Sequence, residues 1–163
     1  MDAALELLGR EGAARLTVRA AEDAAGLPHG SIRHHFGDRA AMVAALFGHL
    51  AVREGVEVDE PPAASLEQWL GAGRILTLAR YELFLMAARD PTLRPPLIEA
   101  RERFVAIAAE RFGPIAAPAI VAALDGVVLD SLVRGAVDPD RLRDAVTYIT
   151  GSATSKDERS SFR

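Results

Sequence analysis

The sequence predicts an all-α fold: a short three-helix unit at the N-terminus, followed by a larger helical domain. Three observations lead there. Apolar residues recur at three- and four-residue spacing along most of the 163 residues, and no stretch alternates apolar with polar long enough to argue for a strand. Glycine, proline and aspartate fall between these runs, where helices start and stop. Half of the residues are apolar and 26% are charged, the balance of a globular chain able to bury a core in one domain or two small ones.

The first helix is expected over Asp2–Arg10, with Ala4, Leu5 and Leu8 on one face and Gly12 as its stop. Thr17 is placed to cap a second helix from Val18 to Ala25, which Gly26 ends in a left-handed conformation. Pro28 suits the first turn of a third helix, His29 to Phe36, and Gly37 closes it. Asp38 then caps a longer fourth helix whose Met42, Val43, Leu46, Phe47 and Leu50 form one stripe.

Residues 53–64 change in composition, gathering acidic residues and the pair Pro61-Pro62. The expected organisation is therefore residues 1–50 as one domain, 51–64 as the end of the fourth helix with a loop, and 65–150 as a second helical domain. Within that domain Ser65 and Gln68 have capping-box spacing ahead of an apolar helix from Leu66 to Ala88. Asp90-Pro91 breaks it. Pro95-Pro96 sets off a helix over Leu97–Phe112, and Gly113-Pro114 precedes another over Pro118–Arg134. Asp138-Pro139 starts the last helix, which carries Leu142, Ala145, Val146 and Ile149. Residues 151–163 are polar and are expected to be a disordered tail.

Composition excludes several classes of function. There is no cysteine, hence no disulfide framework, thiolate metal site or cysteine nucleophile. No signal peptide or membrane-length apolar run is seen, so a cytoplasmic protein without a membrane partner is expected. No nucleophile–base set, paired carboxylates, phosphate-cradling glycine loop or metal spacing occurs, so neither an enzyme nor a cofactor is expected. The cluster His29, His34, His35 does not suggest a metal, because adjacent helical residues point about 100° apart. Net charge is −4, and residues 1–50 hold five arginines against six carboxylates, so any contact with nucleic acid must come from local placement of charge.

Two short helices joined by a glycine-containing turn, behind a supporting helix, make a helix-turn-helix pattern. On the third helix Ile32 and Phe36 share one face and belong inside, while His29, Gly30, Ser31, Arg33 and His34 lie on or beside the other. Gly30 allows close approach to a duplex, and Ser31 suits a phosphate or a base edge. Arg33 suits either guanine or a phosphate, and both roles stay open. Thr17 and Arg19 stand at a helix start, where backbone N–H groups and the dipole favour a phosphate. His35 reads as a structural residue beside Phe36, and Arg10 and Arg15 as solvated surface.

The run Thr17-x-Arg19, Ala25-Gly26, Gly30-Ser31-Ile32-x-His34-His35-Phe36-x-x-Arg39 closely resembles the signature of the TetR family, over about residues 2–50. Arg39 stands where that family often places a phosphate contact. Arg33 stands where tyrosine is usual, Pro28 where a capping serine is usual, and Ala21-Glu22 where a larger apolar residue precedes alanine. The basic arm that often precedes the first helix is not seen. The resemblance implies a helix-turn-helix DNA-binding domain followed by a helical ligand-binding and dimerisation domain. It also implies a regulator, most simply a repressor, that binds double-stranded palindromic operator DNA as a homodimer and is released by a small apolar or amphipathic effector.

The residues of the second domain fit those roles. Leu124, Val127, Val128, Ser131 and Leu132, with Leu142, Val146 and Ile149, are the expected dimer surface, because that region carries more apolar surface than one core face needs. Trp69, Tyr81, Phe84 and Leu85, with Phe104 and Ile107, are the expected effector-binding residues, although the same pattern also suits plain core. In the implied mechanism the effector shifts the fourth helix and carries the two recognition helices out of register with the DNA. A DNA-binding regulator of this fold without an inducer, and a helical protein with an incidental helix-turn-helix, are the competing readings.

Overall fold

The structure, a computed structural model, describes residues 1–54, 61–135 and 138–160, with side chains through Gly151. Residues 55–60 of the expected linker and 161–163 of the expected tail lie outside the described residues. Every regular element among the described residues is helical, as the spacing predicts. No single helix among them is long and apolar enough to cross a membrane.

Helix α1 (Asp2–Glu11) turns Ala4, Leu5 and Leu8 inward and stops at Gly12. Thr17 caps α2 (Val18–Ala24), its Oγ1 accepting the Ala20 N–H at 3.1 Å, a bond of the kind that contributes about 1 kcal/mol. Helix α3 (Ser31–Phe36) begins two residues later than the sequence suggests. Gly30 has a φ of 95°, outside the helical region, and the Ser31 N–H closes a turn onto the Pro28 carbonyl at 3.2 Å. Pro28 thus shapes the turn and not the helix. Asp38 caps α4 (Arg39–Glu54) by accepting the Ala41 N–H at 2.8 Å, and the stripe from Met42 to Leu50 is buried as expected.

Further along, the proline and glycine signals resolve differently. Pro62 is the first residue of α5 (Pro62–Leu70), so Ser65 is buried inside that helix and is not its cap. Proline fits there because the first helical N–H groups need no partner within the helix. Gly71 and Gly73 flank a break, and α6 (Arg74–Arg89) starts after it; one long helix was expected here. After a 3₁₀ turn at Pro91–Leu93, Pro95 and Pro96 lie in the first turn of α7 (Arg94–Phe112) for the same reason. Helix α8 (Ala117–Arg134) leads to α9 (Pro139–Ser160), which continues past Gly151 where a disordered tail was expected. A lone glycine costs a helix about 1 kcal/mol, and no proline follows to stop it.

The helices fall into two compact units, the first holding α1–α4, α6 and the start of α7, the second α5, the rest of α7, α8 and α9. In the first, Leu5, Leu8, Leu16, Ile32, Met42, Leu46 and Leu83 share one core. Each large side chain buried in this way contributes about 1.5–3 kcal/mol. Helix α1 lies against α6 at backbone distance, because Gly9 presents no side chain to Ile75. The turn between α1 and α2 is held from two sides. Glu82 Oε2 of α6 accepts the Ala13 N–H at 3.1 Å, while Arg39 of α4 donates to the carbonyls of Leu16 at 2.8 Å and Ala13 at 3.3 Å. Between α4 and α6, Arg80 Nη1 stands 3.2 Å from Glu54 Oε1, with both side chains buried.

In the second unit α5 packs on α8 and α9, and α8 on α9. Leu66, Leu70, Ile120, Val128, Leu132, Leu142 and Val146 are buried there. Arg143 bridges Glu67 at 3.2 Å and also pairs with Asp140.

Candidate nucleic-acid interface

Helix α3 is too short to hold its shape alone, so its position comes from contacts at its inner face and at its N-terminal end. Ile32 is buried and Phe36 half-buried, while His29, Gly30, Arg33 and His34 are exposed on the side that the pattern assigns outward. The N-terminal end of the helix is fixed by a residue that the sequence marks only as a departure from the family pattern. Glu22 of α2 is only 2% exposed, and its Oε1 accepts the N–H groups of Gly30 at 3.0 Å and Ile32 at 2.9 Å. The signal in the sequence is a carboxylate where alanine is usual, on the inward face of α2 beside Ala21.

The exposed polar groups divide by what they have left to offer. Thr17 spends a lone pair on its cap, which leaves the hydroxyl proton for an acceptor such as a phosphate. Ser31 does the opposite. Its Oγ donates to the Pro28 carbonyl at 2.7 Å, so its lone pairs face a donor, and a base amino group suits it better than a phosphate. Arg39 is bonded to neutral carbonyls and keeps its full charge. Arg19 lies 4.0 Å from Asp23, and the same carboxylate holds the His29 ring at 2.9 Å. Arg33 makes no ion pair among the described residues and is the cation most available on α3. His35 is exposed and tilts against Phe36 with ring centroids 6.0 Å apart. Arg10 and Arg15 pair with Glu6 and Glu11 one turn away, as solvated surface residues do.

The expected effector residues form two edge-to-face aromatic pairs, one in each unit. Trp69 and Phe104 stand 6.3 Å apart in the second unit, with Ile107 half-buried. Tyr81 and Phe84 stand 5.9 Å apart in the first, where Arg80 already lies over the Tyr81 ring and Arg101 over the Phe84 ring. Leu85 is half exposed.

The expected dimer residues also divide. Val128, Leu132, Leu142 and Val146 are buried by their own chain and have no area left for a partner, whereas Leu124, Val127, Ser131 and Ile149 are half-buried. Ser131 also donates to the Val127 carbonyl at 2.8 Å. A different row of α8 is exposed: Ala119, Ala122, Gly126, Leu129 and Val133, at alternating spacings of three and four, with Tyr148 exposed on α9. Helical spacing shows that two faces are apolar, but not which one the chain covers itself.

Comparison with known proteins agrees with this geometry. Residues 1–46 match the family described as bacterial regulatory proteins of the tetR family, and residues 62–152 match the tetracyclin repressor-like C-terminal domain. The multidrug binding protein EbrR complexed with ethidium is similar, at 31% identity over 91% of this chain and 95% of that one, with a TM-score of 0.75. Its complex with proflavin gives 34% identity over 91% and 95%, with a TM-score of 0.69. A TetR family member from Streptomyces coelicolor A3, SCO1917, gives 32% identity over 91% and 94%, with a TM-score of 0.72. No curated protein matches the chain. Both domains are thus accounted for, and the chain belongs to the TetR family of transcriptional regulators.

Proposed function

We propose that this regulator is a cytoplasmic repressor, without catalytic activity, that holds a palindromic operator as a homodimer and releases it when a small flat aromatic effector binds. Residues 1–50 form the DNA-binding head in this reading, 51–64 the link, and 65–150 the regulatory and dimerising domain. The observation that carries it is the outward row Gly30, Ser31, Arg33 and His34 on a helix whose other face, through Ile32, is anchored in the core. Thr17, Arg19 and Arg39 flank that row as phosphate contacts, while Ser31 and His34 face the bases and Arg33 takes a base or a phosphate.

Twofold symmetry matches a palindrome, and the exposed row Ala122, Gly126, Leu129 and Val133 of α8 offers a self-complementary apolar face, with the glycine permitting close approach. For the effector, Trp69 and Phe104 supply aromatic surface to stack on, and EbrR has been crystallised with ethidium and with proflavin, both flat aromatic compounds. Binding of effector and operator are coupled reciprocally, so saturating DNA weakens effector binding by the same factor.

The test has two stages. Duplexes are selected from random DNA with the purified protein, and an enriched palindrome, bound with strong salt dependence, is the expected result. Ethidium and proflavin are then titrated into that complex while Trp69 fluorescence and DNA release are followed. Tryptophan quenching without release sinks the inducer mechanism, and failure to enrich any sequence sinks the operator. Leu129→Glu should yield monomers in sedimentation; an intact dimer would place the interface elsewhere.

A further inference from the structure

The buried carboxylate of Glu22 has no part in the function described so far, and its position is costly. A carboxylate taken out of water is retained only where hydrogen bonds replace its hydration. Here they come from the first turn of α3, which has no side-chain cap of its own, since its N-cap residue is Gly30. A single oxygen gathers the N–H of Gly30 and of Ile32, eight and ten residues further along the chain. The positive end of the helix faces the negative charge, which strengthens both bonds. The two short helices of the helix-turn-helix are therefore tied at the end of α3 that carries Gly30, Ser31 and Arg33.

We propose that Glu22 is a positioning residue for operator recognition: it fixes the angle and register at which α3 enters the major groove, and so sets affinity for the specific sequence. The sign of its electrostatic effect makes this testable. A negative charge in a DNA-binding head opposes phosphate, so removing it alone should tighten binding to any DNA. A positioning role predicts that losing the reach to both N–H groups weakens binding to the operator, while binding to non-specific DNA follows the charge alone.

The inference rests on the operator-binding reading, and its test separates the two. The probes are the duplex selected by the wild-type protein and, as non-specific DNA, sheared genomic DNA. Glu22→Gln keeps an acceptor oxygen at the same reach and loses the charge. Glu22→Asp keeps the charge and is one methylene too short to span both N–H groups, and Glu22→Ala loses both properties. Gln should bind the operator within about threefold of wild type, while Asp and Ala lose about tenfold or more, the scale of a lost charge-assisted bond. Binding to non-specific DNA should stay level for Asp and rise for Gln and Ala.

Should Asp and Ala bind the operator as wild type does, with only thermal stability lowered, Glu22 serves the fold alone and the proposal is wrong. Equal losses for Gln and Ala would also overturn it, since charge and not reach would then matter. If Ala does not fold, as judged by circular dichroism, the Asp-against-Gln comparison decides. Amide exchange in the free wild-type protein gives an independent check: Gly30 and Ile32 should be protected, and fast exchange at both refutes the tie. A selection that enriches no duplex overturns the DNA reading itself, whatever the exchange result.

Discussion

Replacing Gly9 with alanine sets two opposed effects against each other, and the structure decides between them. An added Cβ would lie 2.1 Å from the Ile75 carbonyl oxygen and 2.9 Å from both its carbonyl carbon and its Cγ2. Real Cβ atoms essentially never come within 3.0 Å of such atoms, so α1 and α6 must part by about one ångström, as in other overpacked cores. Two of the three obstacles are backbone atoms in a helix and cannot swing aside. Alanine in place of glycine within a helix favours folding by about 1 kcal/mol. Opening the seam between α1 and α6, which is lined by Leu5, Leu8, Ala79 and Leu83, costs more: overpacking of this kind runs to about 1–3 kcal/mol, before any loss of burial. The net expectation is a loss of about 1–2 kcal/mol, or a fall in Tm of roughly 2–8 °C for a chain of this size. Gly48→Ala is the matched control. It is also helical, an added Cβ meets nothing within 4 Å, and its Tm should rise. Thermal melts followed by circular dichroism should be run at one protein concentration, because association shifts Tm. If Gly48→Ala is stabilised and Gly9→Ala melts at or above wild type, the helices do not approach as closely as described.

Arg33→Ala should weaken operator binding by about tenfold or more without altering helix content, and the salt dependence assigns its role. A slope reduced by about one means a phosphate contact, while an unchanged slope with relaxed preference at one position means a base contact. Breaking the buried pair on one side, as in Arg80→Leu, should cost about 3–5 kcal/mol in urea unfolding, whereas Arg80→Leu with Glu54→Leu should recover most of it. A double variant no better than the single one would argue against the pairing. The Asp2 carboxyl is held below its ordinary 3.8, chiefly by the hydrogen bond from His49, against the opposing effect of burial, and further by the Arg53 charge. A depressed carboxylate stabilises the fold above its unfolded value and loses that effect as pH falls through the folded one. The stability gap between wild type and Asp2→Asn should therefore be present at neutral pH and close below pH 3.8; a gap that widens in acid contradicts the contact.

The reading head was legible in the sequence because its signals are local. A Thr17 cap, a glycine after α2 and the stripe Met42 to Leu50 each depend on residues within a few turns of one another. Signals that admit two outcomes were harder. Pro62 and Pro95-Pro96 looked like breaks, although proline is equally at home in a first turn, and only the packing of α5 and α7 chose that outcome. Gly71 and Gly73 were hidden in an apolar stretch that reads as one helix. Glu22 depended on a turn geometry that brings residues 30 and 32 back to residue 22, which no helical or strand period encodes. On α8 the apolar residues form two rows, and telling the row that the chain covers itself from the exposed one required the position of α9.

The backbone of Ala13 has a consequence for transmission. Its N–H belongs to α6 through Glu82, and its carbonyl belongs to α4 through Arg39, which also grips Leu16. A sliding of α4 along α6 therefore cannot pass this turn unnoticed: either one of these bonds breaks, or the turn is dragged and α2 starts from a new place. The turn behaves as a differential gauge, indifferent to any motion the two helices share and responsive to any they do not. Rigid drift of the unit then leaves the helix-turn-helix undisturbed, while relative displacement of the two helices is delivered to the base of α2.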